Sequence, residues 1–323
     1  MAMNPTLLRP LGKTGLQITP IGLGMMEFAG GGGLLGAAFP VIEQAQKDAI
    51  VKAALDGGIN WFDTAELYGA GVSERSLAAG LKAAGVQDGE VLVATKWWPL
   101  FRTAGNIPRS IDARLECLGD YPIGLYMVHQ PFSFSSPEAE MDAMAKLVQA
   151  GKIRSVGVSN FSAAHMRRAH AALQKHGLPL AANQVHYSLL NRKIETDGIL
   201  ETARELGVTI IAYTPLAAGL LSGKYHQDPA LLQRSGLVKR ARFARRIERT
   251  RPVVEALLEM APRYGATAAQ VALNWLIYAQ GELVVTIPGA TKVSQAADAA
   301  GAMRFRLADA DLAKLDALTR QYR

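Results

Sequence analysis

The 323-residue chain has a single cysteine, Cys117, so an internal disulfide is excluded. Its setting in SIDARLECLG places it on the buried side of a helix, and no role follows from it. Also missing is any stretch of about 18 apolar residues free of charges and turn formers, which excludes an ordinary membrane-spanning helix. The opening segment, MAMNPTLLRPLGKTG, has no apolar core of signal-peptide length. A cytoplasmic protein without membrane association is expected. His, Cys, Asp and Glu do not recur at metal-ligand spacing, so no metal site is expected. Charged residues make up 20% of the chain and hydrophobic ones 49%, enough to bury a large core. A net charge of +7 would suit a polyanion, but Lys and Arg are scattered except in RSGLVKRARFARRIERTR at 234–251. No nucleic-acid partner is expected from one basic run, and no oligomeric state follows from the sequence.

What is present is a regular alternation. Gly, Asn, Asp and Pro divide the chain into eight strand-like runs: IGLG (21–24), INWFDTA (59–65), VLVATKWW (91–98), IGLYMVH (123–129), IRSVGVSN (153–160), LAANQVHYS (180–188), TIIAYTPL (209–216) and LVVTIPGA (283–290). Helical patterns lie between them. Ser136 and Pro137 open one and Gly151 closes it, and Ser162 and Gly177 bracket the next. Most intervals have the size of a β-α-β crossover, and no linker interrupts them. The pattern predicts one domain over 1–323, a (β/α)8 TIM barrel rather than a doubly wound sheet. LLRPLGKTGLQITPI, with a turn at Lys13 to Gly15, predicts a β-hairpin before the barrel.

Catalytic groups in such barrels sit at the C-terminal ends of strands. Asp63 ends INWFD, Lys96 ends VLVATK and His129 ends IGLYMVH, while Tyr68 follows in the loop ELYG. Singly, a strand-end Asp is a common cap, a strand-end Lys reaches solvent and a lone His is structural. Convergence of all four at one mouth points to chemistry. A tyrosine is a poor acid near neutrality unless a cation stabilises its phenolate, and Lys96 can supply that charge. Asp63 keeps the lysine charged, and His129 can hydrogen-bond a substrate oxygen. No activated Ser or Cys stands out. The set suits a carbonyl that becomes an alkoxide, and the missing reagent is a hydride.

INWFDTAELYG, VATKWW, YMVHQP, GVSNF, NQVHYS, AYTPLAAGLLSGKY and TIPGA stand in an order by which the chain resembles the aldo-keto reductase superfamily. The resemblance implies NADPH-dependent reduction of aldehydes and ketones, with Tyr68 as general acid, Lys96 and Asp63 tuning it and His129 orienting the carbonyl. It implies that Ser159, Asn160 and Gln184 hold the nicotinamide carboxamide and that Tyr213 stacks on its ring. Pro215, Leu216 and Gly219 would follow the cofactor towards its phosphates, with Lys224 and Arg234 contacting phosphate or ribose. Pro288, Gly289, Thr291, Lys292, Gln295 and Asp298 would line its outer part, and Met25 and Trp97 the substrate.

Departures from the family pattern are visible too. An acidic residue followed by Asn often holds adenine, and here the pair reads Asp298 and Ala299. The Arg that many relatives use near the 2′-phosphate is matched by Gln295 or displaced to Lys292. No acid occupies 288–295, which favours NADPH over NADH. The chain ends soon after LADADLAKLDAL, without the long tail that covers the substrate in some branches, and an open pocket would admit a larger or more polar substrate such as a sugar; the substrate expected is a small polar aldehyde or ketone, sugar-derived ones included. The alternative is an NADPH-binding regulatory subunit resembling potassium-channel β subunits.

AGGGGLLGAAF, at 29–39, contains Gly31, Gly33 and Gly36 at G-x-G-x-x-G spacing. A dinucleotide-binding turn needs a helix directly after the glycines and a strand-end acid about 20 residues on. The next helical pattern starts only near Gln44, and Asp56 sits at a helix end. The run therefore reads as a long first βα loop, either crossing the substrate mouth or lying in solvent.

Overall fold

Short β-branched runs separated by helix-length intervals pair in parallel, because each crossover returns the chain to the same end of the sheet. A computed structural model describes residues 7–32, 40–233 and 237–323. The hairpin forms from β1 (Arg9–Pro10) and β2 (Gln17–Ile18), antiparallel with Arg9 opposite Ile18. The eight expected strands follow as β3 (Leu23–Gly24), β4 (Trp61–Asp63), β5 (Leu92–Trp97), β6 (Ile123–Val128), β7 (Ile153–Ser159), β8 (Leu180–His186), β9 (Thr209–Tyr213) and β10 (Val284–Thr286). Each pairs in parallel with its successor. Bridges from Ile21 to Thr286 and from Gly24 to Gly289 join the first strand to the last, with the Gly22 amide 2.9 Å from the Thr286 carbonyl. The chain closes as a (β/α)8 barrel.

The helices between and after the strands are α1 (Gln44–Asp56), α2 (Val72–Ala83), α3 (Ile107–Leu118), α4 (Pro137–Gln149), α5 (Ala163–Gln174) and α6 (Ile199–Leu206). They continue with α7 (Lys224–Gln227), α8 (Pro229–Gln233), α9 (Leu237–Met260), α10 (Ala268–Tyr278), α11 (Val293–Gly301) and α12 (Asp309–Thr319). The expected caps are present: Ser136 Oγ accepts from the Ala139 amide and Ser162 Oγ from the His165 amide, each at 3.3 Å. Cys117 on α3 is half-buried rather than buried, and Arg75 of α2 donates to its sulfur at 3.0 Å. Much of the basic run falls in α9. Among the described residues no helix is long and apolar enough to cross a membrane.

Strand alternation sorts side chains into two cores. Trp61, Leu92, Ala94, Leu125, Met127, Ile211 and Val285 fill the barrel with Leu11 and Ile18 of the hairpin. Phe62, Val93, Trp97, Tyr126, Val128 and Ile210 face the helices instead. The hairpin plugs the end at which strands begin: the Gly12 amide bonds Thr209 Oγ1 at 2.8 Å, and buried Arg9 donates to the Val284 carbonyl at 2.7 Å. The opposite end, where the strands finish, is left for a site.

Trp61 fills the barrel only because Gly22, just before β3, has no side chain: a Cβ there would lie 2.3 Å from the indole. Gly22→Ala should therefore overpack the barrel and destabilise the fold by about 1–3 kcal/mol. A guanidinium midpoint equal to wild type would show that the indole yields at no cost.

Candidate active site

The inward parity that fills the barrel continues to its mouth. Asp63 lies two residues beyond Trp61, Lys96 beyond Ala94, His129 beyond Met127, Gln184 beyond Ala182 and Tyr213 beyond Ile211. Five strands thus aim polar groups at one place. Lys96 Nζ is wholly buried and lies 2.6 Å from Asp63 Oδ1, 2.8 Å from the Thr64 carbonyl and 3.5 Å from the Tyr68 hydroxyl. The ammonium's three donors are all engaged. Gln184 Nε2 donates to the second Asp63 oxygen at 2.8 Å, tying β8 to the same carboxylate. The His129 ring stands edge-on to Tyr68, with centroids 5.7 Å apart.

Tyr68 is held by a tight loop whose back is the glycine run. A Cβ on Gly32 would lie 2.6 Å from the Gly69 carbonyl, and one on Gly69 would lie 2.8 Å from that of Ala29. Here glycine permits contact between two backbones beside the phenol. Among the described residues the next helix after Gly31 and Gly32 is the one starting at Gln44, and Gly33 and Gly36 lie outside the described residues.

Burial decides the electrostatics. It pushes the Tyr68 phenol above its ordinary range, and the pull of Lys96 in the opposite direction is the smaller effect. Lys96 offsets burial only in part, and Tyr68 keeps its proton through neutrality. Burial acts against charge on Lys96, yet Asp63 and Tyr68 outweigh it and hold the ammonium above its usual value. Asp63 is pushed up by burial and drawn back by Lys96 and Gln184. Burial, then the charge of Lys96, keeps the His129 imidazole neutral near pH 7. The site therefore holds one compensated ion pair and two neutral hydrogen-bonding rings, a setting for an uncharged carbonyl that gains negative charge during reaction.

A second polar chain runs along the neighbouring strand ends. Ser159 Oγ donates to the Gln184 carbonyl at 3.0 Å, Asn160 Nδ2 to Ser159 Oγ at 3.1 Å and the Tyr213 hydroxyl to Asn160 Oδ1 at 3.0 Å. Tyr213 is half-exposed and stacked on His186, with centroids 5.4 Å apart. The loop after β9 has positive φ at Thr214, Ala217, Ala218 and Gly219, around buried Pro215 and half-buried Leu216. Three such non-glycine residues in one loop mark stored backbone strain, which collects where ligands are gripped. Lys224 Nζ lies 3.6 Å from the place of a Gly219 Cβ. Arg234 lies outside the described residues.

After β10, buried Pro288 accepts from the Gly24 amide at 3.0 Å and Gly289 is exposed. Gln295 Oε1 accepts from the amides of Thr291 at 2.7 Å and Lys292 at 3.1 Å, so its carbonyl caps α11. Lys292 is exposed, and Asp298 is half-buried.

Met25 and Trp97, expected at the substrate, are instead fully buried in the outer core. Trp97 Nε1 donates to Asn106 at 2.9 Å, and the Met25 amide to the Asp63 carbonyl at 2.8 Å. Alternation is the reason, since Lys96 faces inward and the next residue must face the helices. Trp98 takes the inward position, edge-on to His129 at 5.3 Å. The WW doublet already carried this signal, for two adjacent strand residues cannot share a face. The sequence reading also missed Glu66, which accepts from the Trp98 amide and pairs with Arg102 at 2.6 Å. It missed an outer rim as well: Phe132 lies 5.4 Å from Trp98, and Phe101 and Phe134 are 78% and 70% exposed, 6.3 Å apart.

Residues 20–320 match the model of the aldo/keto reductase family. The chain is 38% identical over 299 residues to an uncharacterized oxidoreductase of Mycobacterium tuberculosis, covering 92% of this chain and 85% of that protein. It is 31% identical over 315 residues to a probable aldo-keto reductase 1 of Glycine max, with 94% and 86% covered. A solved structure of the thermostable aldo-keto reductase Tm1743 with the inhibitor epalrestat has a TM-score of 0.74 at 29% identity, covering 97% of this chain and 99% of that one. An aldo-keto reductase from Klebsiella pneumoniae in complex with NADPH gives 0.73 at 26% identity, with 96% and 94% covered. With its barrel closed, its polar groups converging at one mouth and the family's model matched over nearly its whole length, the chain belongs to the aldo/keto reductase family.

Proposed function

We propose that the chain is an NADPH-dependent carbonyl reductase in which Tyr68 is the general acid. The observation that carries this reading is the placement of Lys96 Nζ between the Asp63 carboxylate at 2.6 Å and the Tyr68 hydroxyl at 3.5 Å, in a site without net charge. NADPH, when bound, supplies the hydride. Tyr68, protonated at neutral pH, gives its proton to the carbonyl oxygen as that oxygen becomes an alkoxide. Lys96 then faces the phenolate left behind, and Asp63 holds Lys96 in place. Neutral His129 donates a hydrogen bond to the same oxygen and fixes the carbonyl's orientation.

The cofactor fits the residues around this centre. Ser159, Asn160 and Gln184 offer amide and hydroxyl groups to the carboxamide, and the exposed face of Tyr213 offers a stacking surface to the nicotinamide. The strained loop through Pro215, Leu216 and Gly219, with Lys224 beside it, suits a phosphate. Pro288, Gly289, Thr291, Gln295 and Asp298 line the outer part, Arg234 supplies a further cation, and exposed Lys292 is the cation for the 2′-phosphate. The related Klebsiella pneumoniae structure with NADPH supports the choice of cofactor.

The rim changes the substrate reading. Rings running outward from His129 through Trp98 to Phe132, with Phe101 and Phe134 beyond, offer apolar faces and few hydrogen bonds. A carbonyl on an aryl or other apolar body fits them better than a sugar.

Tyr68→Phe should bind NADPH almost as wild type while losing about 10²- to 10⁴-fold in kcat. Single-turnover reduction of an aryl aldehyde tests this, and retention of more than about a tenth of the wild-type rate would remove Tyr68 from the acid role. In the same assay wild-type kcat/KM should favour the aryl aldehyde over an aldose by at least about ten-fold. The reverse order would restore the sugar reading.

Lys292→Ala should weaken NADPH by about 10- to 100-fold and NADH little, since one charge-assisted hydrogen bond to the 2′-phosphate is lost. Fluorescence titration with both nucleotides measures the difference. Equal weakening would assign Lys292 to the part of the molecule they share.

A further inference from the structure

Glu27 stands apart from every interaction described so far. It lies in the 3-10 turn Met26–Ala29 directly after β3, at the seam where the barrel closes on β10. Its carboxyl group rests on Gly289: a Cβ there would lie 2.2 Å from Oε2 and 2.4 Å from Oε1, so only glycine leaves room for the acid. Oε2 is buried and has no hydrogen-bond partner. The ionisable groups on the surrounding elements are Tyr68, the Lys96–Asp63 pair behind it, Lys47 on α1 and Lys292 at the start of α11. Lys47 is engaged elsewhere, 2.9 Å from Ser76 Oγ and 3.2 Å from the Phe28 carbonyl. No ion pair reaches Glu27 among the described residues, and burial raises its pKa.

Glu27 is half-buried, but its Oε2 is shut off from solvent with no cation beside it, and burial outweighs the pull of its own backbone N–H, so the neutral acid is the form its surroundings favour. On Oε2 the neutral acid carries an O–H donor that no acceptor among the described residues satisfies, an exception that calls for a ligand. The segment beneath it, 288–292, is the one the NADPH reading gives to the phosphate-bearing part of the cofactor. There an ionised Glu27 would repel the ligand, and a protonated one would bind it.

We propose that Glu27 enters the cofactor complex as the neutral acid and donates its O–H to an anionic oxygen of NADPH, so that binding takes up a proton. The proposal rests on the NADPH reading. The proton comes from solvent, stays on the Glu27 carboxyl while the nucleotide is bound and returns to solvent on release. Cofactor affinity is then full below the pKa of Glu27 and declines as pH rises through it.

Calorimetric titration of NADPH between pH 6 and 9, in two buffers of different ionisation enthalpy, tests this on the wild type, Glu27→Gln and Glu27→Met. Wild-type affinity should fall about ten-fold per pH unit above the Glu27 pKa, with up to about one more proton taken up than in Glu27→Gln. The amide keeps an N–H donor and cannot ionise, so Glu27→Gln should lack this fall and bind at least about ten-fold tighter than wild type at pH 9. Glu27→Met lacks both donor and charge. It should lack the fall too, but bind more weakly than Glu27→Gln at pH 6. Equal pH slopes and equal proton uptake in wild type and Glu27→Gln would overturn the proposal while leaving the cofactor in place. Failure of the wild type to bind NADPH would overturn the cofactor reading and this proposal with it.

Discussion

The buried pair of Lys96 and Asp63 is the constraint on which the site depends. Two opposite charges without water are tolerated only when each is hydrogen-bonded nearly to capacity, because removing one partner of such a pair typically costs about 3–5 kcal/mol. Here the lysine reaches Asp63, the Thr64 carbonyl and the Tyr68 hydroxyl, while Gln184 takes the other carboxylate oxygen. These partners come from β4, the loop after it, β5 and β8. The pair itself joins the neighbouring strands β4 and β5, but its full set of partners assembles only when the sheet curls far enough to bring Gln184 on β8 to the same carboxylate. Fold and chemistry share one requirement.

Around that centre the mouth has two characters. On the side of β7, β8 and β9 it is polar and tightly bonded, with Ser159, Asn160 and Tyr213 linked in series. Beyond β5 and β6 it is aromatic, and the two loops there are tied by the Phe134 amide to the Arg102 carbonyl at 2.9 Å and by the Ala104 amide to Ser135 Oγ at 2.9 Å. Phe101 keeps a positive φ of 57° while its ring stays largely in solvent. Backbone strain combined with an exposed ring is unfavourable on both counts, which fits a surface shaped for a ligand rather than for stability. The polar side suits an amide and phosphates, the aromatic side an apolar body, and the proton donor lies between them.

Much of this was legible in the residues, and the failures share a cause. Strand positions, the hairpin and the helix caps at Ser136 and Ser162 follow from local pattern and turn chemistry. The convergence of Asp63, Lys96 and His129 follows from ionisable residues ending consecutive strands. Met25 and Trp97, expected at the substrate, lie in the outer core because alternation turns each away from the neighbour that faces the mouth. The balance of forces on Tyr68 was also out of reach. A motif shows that a cation stands near a phenol, but only packing shows that both are dehydrated and that burial has the larger effect. Glu27 gave no signal, since MMEF fits a loop as well as any other sequence and its isolation depends on Gly289, some 260 residues away.

The pull of Lys96 on the Tyr68 phenol opposes that of burial. It is tested most directly by the pH dependence of alcohol oxidation with NADP+ in single turnover, where Tyr68 must act as phenolate. In Lys96→Met the charge favouring phenolate is gone, so the alkaline rise in rate should move up by at least about one pH unit relative to wild type. A rise at the same pH, or at a lower one, would contradict the account.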